Sequence, residues 1–371
     1  MKILLTGARG FLGWHTRLRL HALTDHEVVP VGRDEWSDLG ALVADVDAVV
    51  HIAGVNRAAT DDEVEGGNVG LAENLATAIT RAGRPLRVVY ANSIQAGNGT
   101  PYGRGKERAA LILREATEGV GGHLVDVLLP NIFGEHGRPR YNSFVATFVD
   151  ATVRGDAPTI NDNQVGLLHV QDAAQSLLDG LTTDAATLSP EPETHGVQEV
   201  WDLLQEFHAS YVPVGEIPDL STKFRIDLFN TYRAALFPDH YPIRLTPHSD
   251  PRGSFVETVR CRGGEGQTSF STTVPGITRG EHYHLHKIER FAVISGSGTM
   301  ELRKMFSDEV LTFPATGEQP VAIDMPVGWV HNITNTGEDT LLTQFWSHEV
   351  FRPEAPDTFP EPVRRQPPQE A

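Results

Sequence analysis

Short apolar runs alternate with helical patterns over the first half of the chain. The runs are rich in Leu or β-branched residues and span 3–6, 27–31, 48–52, 88–91 and 124–129. Between the third and fourth runs, Ala72, Leu75, Ala76 and Ile79 recur at the period of a helix with one buried face. Strands that alternate with helices pair in parallel through right-handed crossovers. The pattern therefore predicts an α/β fold with a Rossmann-type, doubly wound parallel sheet.

The pattern changes after Pro238. Residues 238–251 include four prolines and predict a hinge. Beyond it, Gly and Pro residues separate short strand candidates, which span 254–260, 268–273, 291–295, 299–303, 310–313, 321–324 and 341–346. Many short strands without helices between them are typical of a β-sandwich or a small barrel. We therefore predict a dinucleotide-binding domain over residues 1–240 and an all-β domain over residues 241–371.

Charge and composition narrow the class of protein. The chain has 371 residues, 40% of them hydrophobic, and a formal net charge of −18. Such an acidic surface repels phosphate backbones and anionic lipids, which argues against nucleic-acid and membrane partners. The apolar N-terminal run breaks at Gly7, too early for a signal peptide, and the single cysteine, Cys261, cannot form an internal disulfide. We therefore expect a cytoplasmic protein.

A glycine-rich turn follows the first predicted strand. Gly7, Gly10 and Gly13 let the backbone turn sharply, approach a pyrophosphate and pack the next helix on the strand. Because the triplet occupies the first strand-to-helix turn of an alternating chain, it predicts a dinucleotide site. Arg33, at the end of the second strand, would accommodate a 2′-phosphate and favours NADP(H). The adjacent Asp34 would suit the free ribose of NAD.

Tyr102 and Lys106 are four residues apart, so a helix would place them on one face. A lysine charge beside a phenol is expected to lower the phenol pKa and to make the tyrosine a usable proton donor. Ser93, just past the fourth strand, could hydrogen-bond the same substrate oxygen. Together with the glycine turn, this pattern predicts reduction of a carbonyl group.

These motifs resemble the extended short-chain dehydrogenase/reductase family over about residues 1–240. Further matching segments are 51–54, 130–134 and 169–172. The resemblance implies Ser93, Tyr102 and Lys106 as catalytic residues and Asn131 as a contact of a nucleotide-sugar. The implied cofactor site comprises Thr6, Gly7, Arg9, Gly10, Phe11, Leu12, Gly13, Arg33, His51, Ala53, Gly54, Tyr102 and Lys106. Two features depart from the family: only eight residues separate Ser93 from Tyr102, and Leu128 replaces a common arginine.

Histidines and a glutamate form a second pattern near the C-terminus. His282 and His284 are two apart and share a strand face, and Glu289 and His331 could complete three nitrogens and one carboxylate for a metal. The two motifs that carry these residues resemble the cupin (jelly-roll) family, which implies all four as ligands, with Zn²⁺ or another divalent metal. By the same alternation, His286 points away from the cavity.

A signature ahead of the first cupin motif resembles the sugar-nucleotide 3,5-epimerase branch of that family. It comprises Asp250, Arg252, Gly253, Phe255 and Glu257. In that branch the histidine corresponding to His282 acts as a base without metal. His282 is therefore either a ligand or a base, and Tyr283 is a second candidate for handling the proton.

Taken together, the two halves resemble the bifunctional capsular-polysaccharide enzymes over nearly the whole chain. Shared segments include 53–57, 93–96, 141–143, 328–333 and 356–358. The resemblance implies that the cupin domain epimerises C3 of a UDP-4-keto-6-deoxy-2-acetamido sugar. The reductase domain would then use NADPH to form UDP-2-acetamido-2,6-dideoxy-L-talose. Asn142 and Arg252 are candidate substrate contacts, and a homodimer is expected because closed β modules often pair symmetrically.

Three alternatives stay open at this point. The cupin could be purely structural in a 4-keto nucleotide-sugar reductase, or the chain could be a non-catalytic NADP-binding sensor. The substrate could also carry a dTDP or GDP group instead of UDP.

Overall fold

The computed structural model describes residues 1–161 and 163–365. The chain divides into two compact units. The first comprises Met1–Thr147 and Ile160–Val197, and the second comprises Phe148–Thr159 and the chain from Gln198 onward. None of the described helices has the length and apolar character that crossing a bilayer requires.

Helices occur in both units. The described α-helices are α1 (Phe11–Leu23), α2 (Leu39–Ala44), α3 (Asp61–Ala82), α4 (Pro101–Gly119), α5 (Phe144–Arg154), α6 (Val170–Asp179), α7 (Val197–Val214) and α8 (Lys223–Leu236), with a 3₁₀ helix η1 (Asp34–Asp38). Of the predicted apolar stripe of α3, Ala72, Leu75 and Ile79 are buried in the sheet core, whereas Ala76 is half-buried. Its ends follow capping rules: Thr60 and Glu63 form a capping box, and Gly83 ends the helix at φ 62°.

A parallel sheet forms the centre of the first unit. The strands of this unit are β1 (Lys2–Thr6), β2 (Glu27–Val31), β3 (Ala48–His51), β4 (Arg87–Ser93), β5 (His123–Leu129), β6 (Asn131–Phe133), β7 (Gln164–His169), β8 (Thr187–Leu188) and β9 (Glu193–Gly196). The main sheet has the order β2-β1-β3-β4-β5-β8, and all its pairs are parallel. Leu4 enters the core on one face of this sheet, whereas Ile3 and Leu5 enter the core on the other. Helices cover both faces, which confirms the predicted doubly wound fold.

The second unit is dominated by antiparallel sheets. Its strands are β10 (Ile217–Asp219), β11 (Ile243–Arg244), β12 (Pro247–Asp250), β13 (Gly253–Val256), β14 (Cys261–Gly263), β15 (Gln267–Thr273), β16 (Thr278–Tyr283), β17 (Glu289–Ser295), β18 (Ser297–Lys304), β19 (Val310–Thr316), β20 (Val321–Met325), β21 (Trp329–Asn335), β22 (Leu341–Ser347) and β23 (Phe359–Pro360). Two five-stranded sheets have the orders β11-β20-β17-β22-β15 and β19-β18-β21-β16-β23. Phe291 and Ile323 of the first sheet meet Met300, Leu302 and Ile333 of the second in one core. This sandwich confirms the predicted β-domain.

Residues 198–240, which were predicted to end the nucleotide-binding domain, belong to the second compact unit. A buried polar cluster explains the difference. Tyr211 of α7 donates a hydrogen bond to Asp324 of β20 at 2.5 Å, and Arg290 of β17 binds both Asp324 oxygens at 2.6 and 2.8 Å. These three side chains are at most 2% exposed, so they fasten α7 to the β-sandwich. The functional boundary near residue 240 stays a prediction.

Candidate active centres

The glycine turn between β1 and α1 has very close backbone packing. Gly7 adopts φ 70°, and the Gly10 N–H donates to the Gly7 carbonyl oxygen at 2.9 Å. A Cβ added at Gly13 would lie 2.0 Å from that same oxygen, so only glycine fits there. Gly10 precedes α1 without a capping side chain, so the N–H groups of Phe11 and Leu12 can face a phosphate.

Buried polar groups fasten β1 to β3 beneath this turn. The Thr6 hydroxyl lies 2.8 Å from His51 Nδ1 and accepts the N–H groups of Ile52 and Ala53 at 3.1 and 3.2 Å. Burial lowers the pKa of His51 to about 3, so the imidazole stays neutral. Of the predicted cofactor residues, Thr6 and His51 therefore shape the turn from below. Ala53 is half-buried and Gly54 is exposed, and both directly follow the end of β3.

Two arginines lie at the end of β2, where this fold places the ribose of a dinucleotide. Arg33 is exposed and immediately precedes η1. The Arg9 guanidinium reaches the same end and pairs with Asp34 at 3.3 Å and with Glu35. Glu35 also accepts the Gly32 N–H at 2.8 Å. Both arginines and both carboxylates therefore lie at the end of β2, the position that distinguishes the 2′-phosphate of NADP(H) from the free 2′-hydroxyl of NAD(H) in this fold.

The start of α4 is built to bring Tyr102 close to β4. The Thr100 hydroxyl caps the helix by accepting the Gly103 N–H at 3.1 Å. A Cβ added at Gly103 would lie 2.4 Å from the Gln95 carbonyl oxygen, which belongs to the loop after β4. A Cβ added at Gly105 would lie 3.1 Å from the backbone of α3. These two glycines therefore let α4 approach both neighbours.

Tyr102 and Ser93 meet at the end of β4. The Ser93 hydroxyl lies beside the Tyr102 phenol, and it accepts the Gln95 N–H at 3.2 Å. Burial raises the pKa of Tyr102, and the neighbouring Ser93 hydroxyl opposes this shift only in part. The phenol is therefore protonated at neutral pH and can donate a proton to an oxygen that gains negative charge.

Lys106 is 4% exposed, and its Nζ donates to the Ala91 carbonyl oxygen at 2.6 Å. Nζ also lies 4.3 Å from the centroid of the Tyr90 ring. Burial lowers the pKa of Lys106 to about 7, against the opposing effect of the Asp126 charge. The predicted lowering of the Tyr102 pKa is therefore wrong, because burial dominates at both residues.

The predicted sugar contacts Asn131 and Asn142 flank the loop between β6 and α5. Both are exposed, and Asn131 Nδ2 donates to the Gly166 carbonyl oxygen at 3.3 Å. The loop also carries Arg138, whose guanidinium lies 5.0 Å from the Tyr141 ring centroid. Arg138 was not singled out from the sequence, although it is an exposed cation beside two predicted contacts.

A buried network that was also missed fastens this loop to α1 and to the end of β7. The fully buried Glu135 carboxylate lies 3.3 Å from His169 Nε2, and His15 Nε2 lies 2.8 Å from the Glu135 carbonyl oxygen. Burial opposes ionisation of Glu135, but the charge and hydrogen bond of His169 together with the charge of His15 outweigh it and bring the pKa of Glu135 to about 2. Sequence spacing gives no signal for this network, because its members come from three distant segments.

The predicted metal ligands converge between the two sheets of the second unit. His282 lies in β16 and His284 directly follows it, whereas Glu289 begins β17 and His331 lies in β21. The Nε2 atoms of His284, His331 and His282 lie 3.1, 3.5 and 4.0 Å from Glu289 Oε2. One ligand atom from each of the four residues lies within 4.8 Å of all the others.

Hydrogen bonds direct the imidazoles toward Glu289. Nδ1 of His284 donates to the Asp357 carbonyl oxygen at 2.5 Å, and Nδ1 of His331 donates to the Trp329 carbonyl oxygen at 3.1 Å. Nε2 of His331 is buried and makes no well-formed hydrogen bond within the described chain. Burial opposes ionisation of Glu289, but the surrounding histidines hold its pKa well below the ordinary value. Three ring nitrogens and an ionised carboxylate therefore fit a divalent transition metal such as Zn²⁺.

A β-bulge sets the direction of His282. Gly280 at φ 105° and Glu281 at φ 60° interrupt the β16–β21 register just before it. Beyond the bulge the side chains alternate, so Tyr283 points away from the imidazoles. Tyr283 is buried against Phe359, with 5.5 Å between ring centroids. The geometry thus gives no support to the predicted role of Tyr283 in proton transfer.

Arg252 and His286 lie outside the four-residue cluster. Arg252 occupies the turn of the β12–β13 hairpin, where its 90% exposed side chain pairs with Asp250. Its contact with substrate stays a prediction. His286 is half-exposed, as expected from alternation, and its ring nitrogens lie 3.2 Å from Glu349 and 3.1 Å from Asp357.

Comparisons with known proteins agree with this two-part architecture. Residues 3–191 match the NAD dependent epimerase/dehydratase family, and residues 248–359 match the polysaccharide biosynthesis C-terminal domain. The chain is 36% identical to the UDP-2-acetamido-2,6-beta-L-arabino-hexul-4-ose reductase of Pseudomonas aeruginosa, over 97% of this chain and 98% of that protein. It is 27% identical to the spore coat polysaccharide biosynthesis protein SpsL of Bacillus subtilis, over 31% of this chain and 82% of that protein.

A solved structure is similar over both units. The crystal structure of the capsular polysaccharide assembling protein CapF from Staphylococcus aureus has a TM-score of 0.63 and 33% sequence identity, covering 98% of this chain and all of that one. The family match implies a nicotinamide cofactor. The chain therefore belongs to the NAD dependent epimerase/dehydratase family, in the group of proteins that join this domain to a polysaccharide biosynthesis C-terminal domain.

Proposed function

We propose that the chain is a bifunctional enzyme of UDP-sugar metabolism. Its first centre would reduce the C4 ketone of a UDP-2-acetamido-2,6-dideoxy-4-keto sugar with NADPH, and its second would epimerise C3 of the same sugar. The product would be UDP-2-acetamido-2,6-dideoxy-L-talose, a precursor of surface polysaccharide. The observation that carries this proposal is the near full-length similarity to a reductase of a UDP-hexulose.

The first centre holds the groups that a ketone reduction needs. NADPH supplies the hydride when it is bound. Tyr102, kept protonated by burial, donates its proton to the C4 oxygen as charge develops there. Ser93 lies beside the phenol. Lys106, on the same helix as Tyr102, would supply the cation that stabilises the phenolate left by the proton transfer. The exposed Arg33 at the end of β2 supports NADPH over NADH.

The second centre suits removal of the C3 proton. That proton is acidic because the neighbouring C4 carbonyl can take up the negative charge. A divalent metal would supply a Lewis acid that stabilises this charge. His284, Glu289 and His331 would hold the metal. His282 is 21% exposed at its side chain and lies farthest from Glu289, so it is the member of the cluster that can also reach a substrate.

Isotope exchange tests the two activities separately. The chain is incubated with the 4-keto UDP-sugar in D₂O, first without and then with NADPH, and the sugar is analysed by mass spectrometry and NMR. We expect deuterium at C3 without NADPH, and the reduced L-talose product when NADPH is added. Hydride transfer without C3 exchange would mean that the second unit has only a structural role. The absence of both reactions would contradict the proposal.

Three variants assign the reactions to the centres and a role to His282. Tyr102→Phe should slow reduction about 10²- to 10⁴-fold and leave C3 exchange intact, because only a general acid is lost. His331→Ala should abolish C3 exchange and metal binding while the Tyr102 centre stays folded. If the His282→Gln variant still binds metal but no longer exchanges the C3 proton, His282 is a base. If the variant no longer binds metal, His282 is a ligand. Unchanged reduction by Tyr102→Phe would contradict the proposed acid, whereas NADPH binding without either reaction in the parent chain would favour a cofactor-binding sensor.

The oligomeric state is a separate part of the proposal. We expect a homodimer, since symmetric pairs are the commonest assemblies of soluble enzymes. Sedimentation equilibrium of the full chain measures this directly, and a monomer at all concentrations would contradict it.

A further inference from the structure

The segment from Pro356 to Arg364, here called the C-terminal strap, runs beside the strand that carries His282. Phe359 and Pro360 form β23, which pairs with β16 so that Pro360 lies opposite His282. The Glu361 N–H donates to the Glu281 carbonyl oxygen at 2.9 Å, next to the bulge. The strap therefore continues the sheet along the edge of the metal-ligand strand.

A buried arginine holds the far end of the strap. Arg303 of β18 is 1% exposed. Its guanidinium donates to the carbonyl oxygens of Val363 and Pro362 at 2.7 and 2.8 Å and pairs with Glu361 at 2.9 Å. Val363 is fully buried, and its N–H donates to the Glu281 carboxylate at 2.6 Å. These contacts anchor the strap in the sandwich independently of its other end.

At its near end the strap contacts the turn that follows β16 through Asp357. One oxygen of the buried Asp357 carboxylate accepts the Leu285 N–H at 2.9 Å. The other accepts the N–H groups of His286 and Lys287 at 3.0 and 2.7 Å. Lys287 completes the contact, because its Nζ donates to the Pro356 carbonyl oxygen at 2.7 Å and to the Thr358 hydroxyl at 3.1 Å.

The backbone of Asp357 reaches the candidate metal ligand itself. Its φ of 42° is left-handed, and its carbonyl oxygen accepts the hydrogen of His284 Nδ1 at 2.5 Å. This bond leaves His284 Nε2 to face Glu289, 3.1 Å away. The same residue thus acts on His284 in two ways: its carboxylate fixes the turn that follows His284, and its carbonyl oxygen fixes the imidazole ring.

We propose that Asp357 is a positioning residue for the metal centre, acting through His284. This inference rests on the proposed metal site of the second unit. Partners that orient a ligating histidine commonly change metal affinity 10- to 100-fold when they are altered. A carboxylate is required because both of its oxygens accept hydrogen bonds, whereas an asparagine would turn an N–H₂ group toward at least one backbone N–H.

The test compares Asp357→Asn with Asp308→Asn in the full chain. Asp308 is a 94% exposed aspartate of the same unit, so it controls for the loss of one carboxylate. Zn²⁺ affinity is measured by competition with a chromophoric chelator, and the Co²⁺-loaded protein is examined by absorption spectroscopy. We expect Asp357→Asn to bind Zn²⁺ about 10- to 100-fold more weakly, with an altered Co²⁺ spectrum, and Asp308→Asn to match the parent chain.

A merely structural role would give a different result. It would lower the unfolding temperature of the metal-free chain while leaving Zn²⁺ affinity and the Co²⁺ spectrum unchanged, and that outcome would overturn the inference. If Asp357→Asn does not fold, Lys287→Met replaces it, because this variant loses only the contacts to Pro356 and Thr358. Lys287→Met should then weaken Zn²⁺ binding, and parental affinity would overturn the inference. A parent chain that binds neither ion would instead refute the metal centre itself.

Discussion

Replacing Gly13 by alanine tests the geometry of the nucleotide turn. The added Cβ would lie 2.0 Å from the Gly7 carbonyl oxygen, whereas real Cβ atoms essentially never approach closer than 3.0 Å. The backbone must therefore move by about 1 Å, and both clashing groups belong to the turn that would hold the pyrophosphate. Overpacking of this kind costs about 1–3 kcal/mol, and a 1 Å misplacement of a bound reactant can cost about 100-fold in rate.

Gly70→Ala is the matched control. Gly70 lies inside α3, and no atom lies within 4 Å of an added Cβ, so alanine should stabilise the helix by about 0.5–1 kcal/mol. Urea unfolding measures stability, and NADPH fluorescence titration measures binding. We expect Gly13→Ala to unfold at lower urea and to bind NADPH far more weakly, with Zn²⁺ binding intact. A Gly13→Ala chain with parental stability and NADPH affinity would refute the reasoning.

Three further predictions concern charge. Because burial lowers the pKa of Lys106 to about 7, the lysine is charged below that pH and neutral above it. Single-turnover NADPH oxidation should therefore slow as the pH rises through about 7, and Lys106→Met should be slow at every pH. Arg290→Met leaves the fully buried Asp324 carboxylate without the guanidinium that binds it. The free energy of unfolding, measured in urea, should fall by about 3–5 kcal/mol. The double variant Arg290→Met/Asp324→Leu should recover most of this loss, because no unpaired charge stays buried. Arg33→Ser should raise the KM for NADPH about tenfold or more without changing the KM for NADH, since a charge-assisted contact to phosphate is lost.

Backbone requirements made the first unit predictable. Gly7 is needed because the backbone adopts a positive φ there, and Gly13 is needed because the backbone of Gly7 lies too close for a Cβ. Most of the apolar stripe of α3 was likewise predictable, because the period of a helix is a local property of the sequence. The burial of Lys106 could not be predicted from the sequence, because it depends on how closely α4 approaches β4.

In the second unit, the ligands were easier to predict than the strands that hold them. His282 and His331 lie in β16 and β21, which were not among the predicted strand candidates, although His282 and His284 were expected to share one strand face. In β16, Gly and His stand where β-branched residues would be typical. Most of α7 lies in the second compact unit, where the Tyr211–Asp324 bond joins residues 113 positions apart, and the functional boundary near residue 240 stays a prediction. No local pattern reports such a contact.

Burial favours the neutral form of Tyr102, Lys106 and His331, whereas the surrounding histidines keep Glu289 ionised against its burial. At the first centre burial keeps the Tyr102 phenol protonated and brings the pKa of Lys106 to about 7, so a donor and a switchable cation coexist near neutrality. At the second, burial lowers the pKa of His331 to about 4, so its imidazole is neutral and Nε2 can offer a lone pair to a metal. The net charge of −18 predicts neither result, because it reflects the surface, whereas the reacting groups respond to the few buried atoms around them.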